Sequence, residues 1–192
     1  MNFAIEITRS LQTLREMLTD RGKDASVLDQ YTIEEVSNMG SIFAIDIPAE
    51  KIKIIYDMST KTKWVDVKKE CGIENDSPDI NLLIYIARDK INTSETKKID
   101  ELTFDHQVFD IRDLQFNISK HMLVPEHKLV DDPEEISKIL TAHQVKLNQL
   151  PMILKTDKMA QYLNAKVGNL VRIKRISPTS GEYITYRCVV KN

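Results

Sequence analysis

Glycine, cysteine and long apolar runs are all scarce in this 192-residue chain, and each scarcity excludes a class of protein. The five glycines stand at positions 22, 40, 72, 168 and 181, too scattered for a glycine-rich phosphate loop. The two cysteines, Cys71 and Cys188, lie far apart and outside any Cys-x-x-Cys pair, which argues against a disulfide framework or zinc knuckle and for reduced core thiols. The longest apolar runs, such as Leu82 to Ala87, fall far short of the roughly 18 residues that a membrane span needs, so no contact with a membrane is expected. Glu6 and Arg9 interrupt the first residues before a secretory segment could develop, and no export is expected. What the chain does have is 42% apolar and 29% charged residues, material for two compact units.

A formal charge of −2 hides an uneven distribution. Residues 1–120 hold 16 Lys and Arg against 22 Asp and Glu, a net −6; residues 121–192 hold 11 against 7, a net +4. From Gln144 onward the count is 9 basic to 2 acidic. A cationic end suits an acidic partner, either nucleic acid or an acidic protein face.

Hydrophobic spacing divides the chain into elements. Ile7, Leu11, Leu14 and Leu18 recur at helical intervals and Arg21-Gly22 stops them, which predicts an opening amphipathic helix. A short helix follows around 32–37, and the run 42–47 between Gly40 and Pro48 predicts a strand, joined as a hairpin to a second strand over 51–56. Trp64, Val65 and Val67 lead a helix ending at Gly72, and Ile80 to Ala87 has the continuous apolar character of a buried strand. Thr93-Ser94-Glu95 starts a helix running to Leu102, with a strand over 108–111 after it. Asp132-Pro133-Glu134-Glu135 opens a helix whose buried face is Ile136, Ile139, Leu140 and Leu147 and whose end is Gln149-Leu150-Pro151. Asp157 caps a short helix holding Met159, Ala160, Tyr162 and Leu163, and strands over 170–176 and 183–190 close the chain around the loop 177–181. The fold class is α+β, a mixed sheet with helices over 1–120 and a small α+β unit over 121–192.

Three clusters invite a chemical reading. Pro78-Asp79 followed by Glu95-Thr96-Lys97 matches the signature of magnesium-dependent nucleases, in which the acids would ligate metal and the lysine position water. That site needs its Glu-x-Lys on a strand, whereas 93–102 reads as helix. His121, Glu126 and His127 fit no metal-ligand spacing, His106 and His143 are isolated, and no nucleophilic arrangement is recognisable. Arg172, Lys174 and Arg175 on one strand, with Tyr183, Tyr186 and Arg187 on its neighbour, suggest a charged docking platform for protein or for nucleic acid.

From His121-Met122-Leu123-Val124-Pro125-Glu126-His127-Lys128-Leu129-Val130 onward the sequence resembles the fifth subunit shared by eukaryotic nuclear RNA polymerases, a family that also has archaeal members. The resemblance continues through Asn148-Gln149-Leu150-Pro151, Asp157, Ala160, Tyr162, Gly168, Val171-Arg172-Ile173 and Ser177, and ends on Gly181 and Tyr183-Ile184-Thr185-Tyr186-Arg187. Asp20-Arg21-Gly22, Leu82 to Ala87 and Phe116-Asn117-Ile118 extend it more loosely over the whole chain, the eukaryotic pattern. Where relatives carry Leu-Pro-Arg, Asp-Pro and Ala-Arg-Tyr, this chain has Leu150-Pro151-Met152, Asp157-Lys158 and Ala160-Gln161-Tyr162, departures that point to a divergent lineage such as a reduced eukaryote or a large DNA virus.

The resemblance implies a noncatalytic polymerase subunit with no cofactor, metal or catalytic residue, present in one copy. Its residues 1–120 would form a nuclease-like jaw without nuclease activity, lying beside downstream duplex DNA with Thr93, Ser94, Lys97 and Lys98 nearest to it. Its residues 121–192 would dock on the largest polymerase subunit through Pro125, His127, Gln149, Leu150, Pro151, Tyr162, Arg172, Tyr183, Tyr186 and Arg187 or their neighbours. The compartment would be the nucleus, or a viral factory and virion for a virus-encoded chain. The rival functions are a magnesium nuclease using Asp79, Glu95 and Lys97, and a stand-alone nucleic-acid-binding adaptor.

Overall fold

Eight strands and six α-helices were found in a computed structural model that describes residues 3–60, 63–74, 79–89, 91–177 and 181–191. The chain separates into two compact units, residues 1–116 and 117–192. Among the described residues no helix is long and apolar enough to cross a membrane.

The N-terminal unit is a four-stranded sheet, β1 (Ile42–Ile47), β2 (Ile52–Asp57), β3 (Leu82–Ala87) and β4 (Asp105–Asp110), in that spatial order. Strands β2, β3 and β4 are parallel, and β1 is antiparallel to β2 across the turn at Pro48–Glu50, where Lys51 adopts a left-handed φ of 53°. A parallel strand needs crossover helices, and these cover both faces. On one face lies α1 (Phe3–Asp20), whose buried Ser10 hydroxyl is 2.8 Å from the Tyr56 hydroxyl on β2. On the other lie α3 (Trp64–Glu70) and α4 (Thr93–Ile99), whose Trp64, Val67 and Ile99 pack on Ile55, Leu83 and Tyr85. Every residue of β3 is therefore buried, which accounts for its unbroken apolar run. The helix α2 (Ile33–Ser37) is held by a reciprocal pair of bonds between Thr32 and Glu35.

The C-terminal unit is a second sheet in the order β5 (Glu126–Val130), β7 (Leu170–Ser177), β8 (Gly181–Val190), β6 (Met152–Leu154). Its two faces have separate cores. Val130, Leu170 and Cys188 pack with Ile139 of α5 (Pro133–His143), whereas Val171, Ile173 and Val189 pack with Ala160 of α6 (Lys158–Tyr162). Asp157 caps α6 by accepting from the Met159 and Ala160 N–H groups.

The structure corrects several sequence expectations. Helix α5 ends at His143, six residues before Gln149: Gln144 turns left-handed and the Val145 N–H bonds the Leu140 carbonyl, so Leu147 reaches the core from a following 3-10 turn. Helix α4 ends at Ile99, because Leu102 meets the core only through a turn in which its N–H bonds the Ile99 carbonyl. Strand β4 starts at Asp105 and ends at Asp110, not at Ile111, which opens a 3-10 turn. Strands β5 and β6 were not legible, since both are short edge strands without alternation strong enough to separate them from extended loop.

Candidate docking surface and nucleic-acid interface

Register decides which of the charged strand residues meet. In the antiparallel β5–β7–β8 ladder, Lys128 lies opposite Arg172 and Arg172 opposite Tyr186, so these three share one face. Arg187 lies opposite Val171, and Tyr183 opposite Arg175, so Arg187, Tyr183 and Arg175 stand on the other face. The single platform of Arg172, Lys174, Arg175, Tyr183, Tyr186 and Arg187 expected from sequence does not form, because successive strand residues point in opposite directions. Arg187 instead donates to the Met152 carbonyl at 3.1 Å, tying β8 to β6, and Lys174 pairs with Glu182 at 2.7 Å. The Tyr186 ring meets His143, at the end of α5, edge to face with centroids 5.7 Å apart.

Other expected docking residues are divided between surface and interior. Tyr162 and Leu150 are 5% and 8% exposed: the Tyr162 hydroxyl accepts from Asn117 Nδ2 at 3.1 Å, and Leu150 packs under α5. Tyr162 can support a face from within, and Leu150 shows only its edge to the groove beside it. Gln149 and Pro151 are exposed beside an apolar groove of about 430 Å³ lined by Leu147, Leu150, Met152 and Val167. Half-buried Pro125 accepts from His127 Nδ1–H at 2.7 Å, and the Leu123 N–H donates to His121 Nδ1 at 3.2 Å. Both imidazoles thus bond their own backbone.

Sequence reasoning missed the most exposed apolar residues of this unit. Met122, Leu123 and Ile176 are 92%, 80% and 87% exposed, and all three line a groove of about 590 Å³ with Pro125 and Arg175. Met122 and Leu123 precede a strand the sequence did not reveal, and Ile176 lies near the end of a recognised strand whose buried face only the packing assigns. Lys128 was missed for the first of these reasons.

In the N-terminal unit Thr93, Ser94 and Lys97 are exposed at α4, but the helix begins after Asn92, not with a Thr93 cap, and no side chain caps it. Glu95 accepts from the Trp64 N–H at 2.8 Å and from Lys98 Nζ at 2.7 Å. Lys98 and the Trp64 amide hold the Glu95 carboxyl below the usual glutamate range. Glu95 is therefore the cap that α3 lacks locally, and Lys98 has its charge matched; Lys97 has no acidic partner among the described residues.

The nuclease pattern finds no support in this geometry. Asp79 precedes β3 and Glu95 follows it, with the six-residue strand between them, roughly 20 Å at about 3.3 Å per residue. Pro78 lies outside the described residues. No group of three His, Cys, Asp or Glu able to hold a metal occurs among the described residues. At the carboxyl ends of β2 and β3 the buried Asp57 carboxylate accepts from the Tyr85 hydroxyl at 2.7 Å, the Ser59 N–H at 3.1 Å and the Ser59 hydroxyl. Burial, with the Asp57 charge beside it, pushes the Tyr85 phenol well up, which keeps it a donor.

Comparison with known proteins follows the same division. Residues 116–189 match the family model of the RNA polymerase Rpb5 C-terminal domain. The DNA-directed RNA polymerases I, II, and III subunit RPABC1 of Caenorhabditis briggsae is 30% identical, covering 96% of this chain and 85% of its own length. The DNA-directed RNA polymerase subunit 5-like protein 1 of Arabidopsis thaliana is also 30% identical, over 96% of this chain and 97% of its own. The archaeal subunit Rpo5 of Thermococcus kodakarensis is 42% identical over 94% of its length, which spans 41% of this chain. The chain belongs to the Rpb5 family of RNA polymerase subunits.

Proposed function

We propose that the chain is a noncatalytic subunit of a multisubunit DNA-directed RNA polymerase, in which residues 117–192 dock on the largest subunit. The observation that carries the docking reading is the exposure of Met122, Leu123 and Ile176 around one groove of the C-terminal unit. Large apolar side chains gathered at that exposure mark a surface that a partner covers. Family membership supplies the partner class, since the relatives are named as polymerase subunits. The N-terminal unit serves as the jaw beside downstream duplex, with Lys97 as the contacting cation on α4; the work takes place in the nucleus in a cell, or in a viral factory for a virus-encoded chain. Nucleotidyl transfer belongs to other subunits.

The test is co-purification of the tagged full-length chain with the large polymerase subunits from its native host. Met122→Asp with Ile176→Asp should lower the recovery of the largest subunit at least tenfold while leaving the circular dichroism unchanged, because both side chains are solvent-facing in the free chain. Undiminished recovery would remove this groove from the interface. Cleavage of plasmid DNA that disappears in Asp79→Ala would instead revive the nuclease reading.

A further inference from the structure

The row Lys128–Arg172–Tyr186 has an electrostatic defect that the isolated chain does not resolve. Residues directly opposite in an antiparallel ladder have Cβ atoms about 4.5–5.5 Å apart, and like charges so placed repel. Lys128 and Arg172 are such a pair. Neither has an acidic partner among the described residues, although Lys174, two residues on, is matched by Glu182. Arg172 Nε is buried and has no hydrogen-bond partner, an arrangement that costs stability unless something accepts from it. Tyr186 lies opposite Arg172 on the third strand and its ring is braced by His143.

We propose that this row is a carboxylate-binding slot, filled by an aspartate or glutamate side chain of the polymerase subunit on which the C-terminal unit docks. This rests on the docking reading and supplies the polar anchor that an apolar groove lacks. A carboxylate entering beside Lys128 would give the buried Nε the acceptor it lacks, a terminal nitrogen would complete the fork, and Lys128 adds a second charge from the neighbouring strand. A protein acid suits the site better than a nucleic-acid backbone. Glu126 lies two residues before Lys128 on the same face, and with the nearby Lys174 already matched by Glu182 it would disfavour a chain of phosphates while leaving room for one carboxylate. Exposed Ile176 and Ile184 on that face would likewise bury against protein and not against phosphates.

Binding of the full-length chain to the largest subunit, measured over a range of NaCl concentrations, tests the slot with Lys128→Gln/Arg172→Gln, with Arg172→Lys, and with Lys138→Gln on the exposed side of α5 as control. The double variant should bind about 10- to 100-fold more weakly at low salt with a flatter salt dependence, Arg172→Lys should fall between it and wild type, and Lys138→Gln should match wild type. In isolation the double variant should melt no lower than wild type, since it relieves a repulsion; a clear fall in melting temperature would show a structural role and overturn the proposal. Unchanged affinity and salt dependence would also overturn it while leaving the docking reading standing, whereas failure of wild type to bind would overturn both. If the double variant kept its subunit affinity but lost binding to a short DNA duplex, the slot would hold phosphate and the proposal would fall.

Discussion

Glu95 shows how much of a side chain's role depends on its neighbours in space. In sequence it belongs to a nuclease-like triplet; in the fold it accepts from the first amide of α3 and from Lys98 on its own helix. Replacing it by Gln keeps an acceptor but removes the charge, which should destabilise the N-terminal unit by about 0.3–1 kcal/mol, the usual worth of an anion at a helix start, measured by urea denaturation. The effect should depend on pH. The folded carboxyl is a stronger acid than the unfolded one, so its contribution is full above the ordinary glutamate pKa and fades as pH falls through the lower folded value. Wild type should therefore lose its advantage over Glu95→Gln in acid, and an advantage that survives there would exclude the charged cap. Tyr162 makes the converse point, because it resembles an interface anchor and lies inside. Tyr162→Phe removes the acceptor for Asn117, so it should cost about 1 kcal/mol in thermal denaturation and leave subunit recovery unchanged. Lost recovery without lost stability would return Tyr162 to the interface.

At the scale of elements, the C-terminal sheet gains its two cores from opposite faces of the same two strands. A fragment of residues 117–192 should therefore fold alone, with a cooperative melt and the circular dichroism of a mixed α and β structure. Starting four residues later, at His121, discards the 3-10 turn at Ile118–Lys120, Asn117 with its bond to Tyr162, and the bonds from the Ser119 N–H and hydroxyl to Asn117 Oδ1. The shorter fragment should be about 1–2 kcal/mol less stable in chemical denaturation. Equal stability would show that these residues serve only as a connection.

At the scale of the whole molecule, the acidic residues 1–120 and the basic residues 121–192 suit partners of different charge. With a net −6 over residues 1–120, any hold on duplex DNA must come from a few local cations and not from the field of the unit. Lys98 is matched by Glu95, which leaves Lys97 as the α4 lysine available for such a hold. In the assembled polymerase, Lys97→Ala should reduce the slope of log binding constant against log salt by about one unit for downstream duplex, and Lys98→Ala by less, with no change in sequence preference. An unaltered slope with the variant fully incorporated would make the jaw purely architectural.

Amino-acid order alone determined the features that depend on neighbours a few residues apart. The stripe of α1, the cap at Asp157, the proline start of α5 and the unbroken apolar run of β3 were all legible because a helix or buried strand repeats its demands at short intervals. The segments carrying the polymerase-subunit resemblance were legible in the same way. The ends of α4 and α5 were not, since left-handed Gln144 and the turn at Asp100 are set by core residues beyond them. Nor were the short strands β5 and β6, which exist only because β7 and β8 offer them backbone partners. Pairing register then separated Arg172 from Arg187 and set Lys128 against Arg172, and no local signal encodes it. A one-residue slip would exchange the two faces, so the choice belongs to the two cores that pack on them.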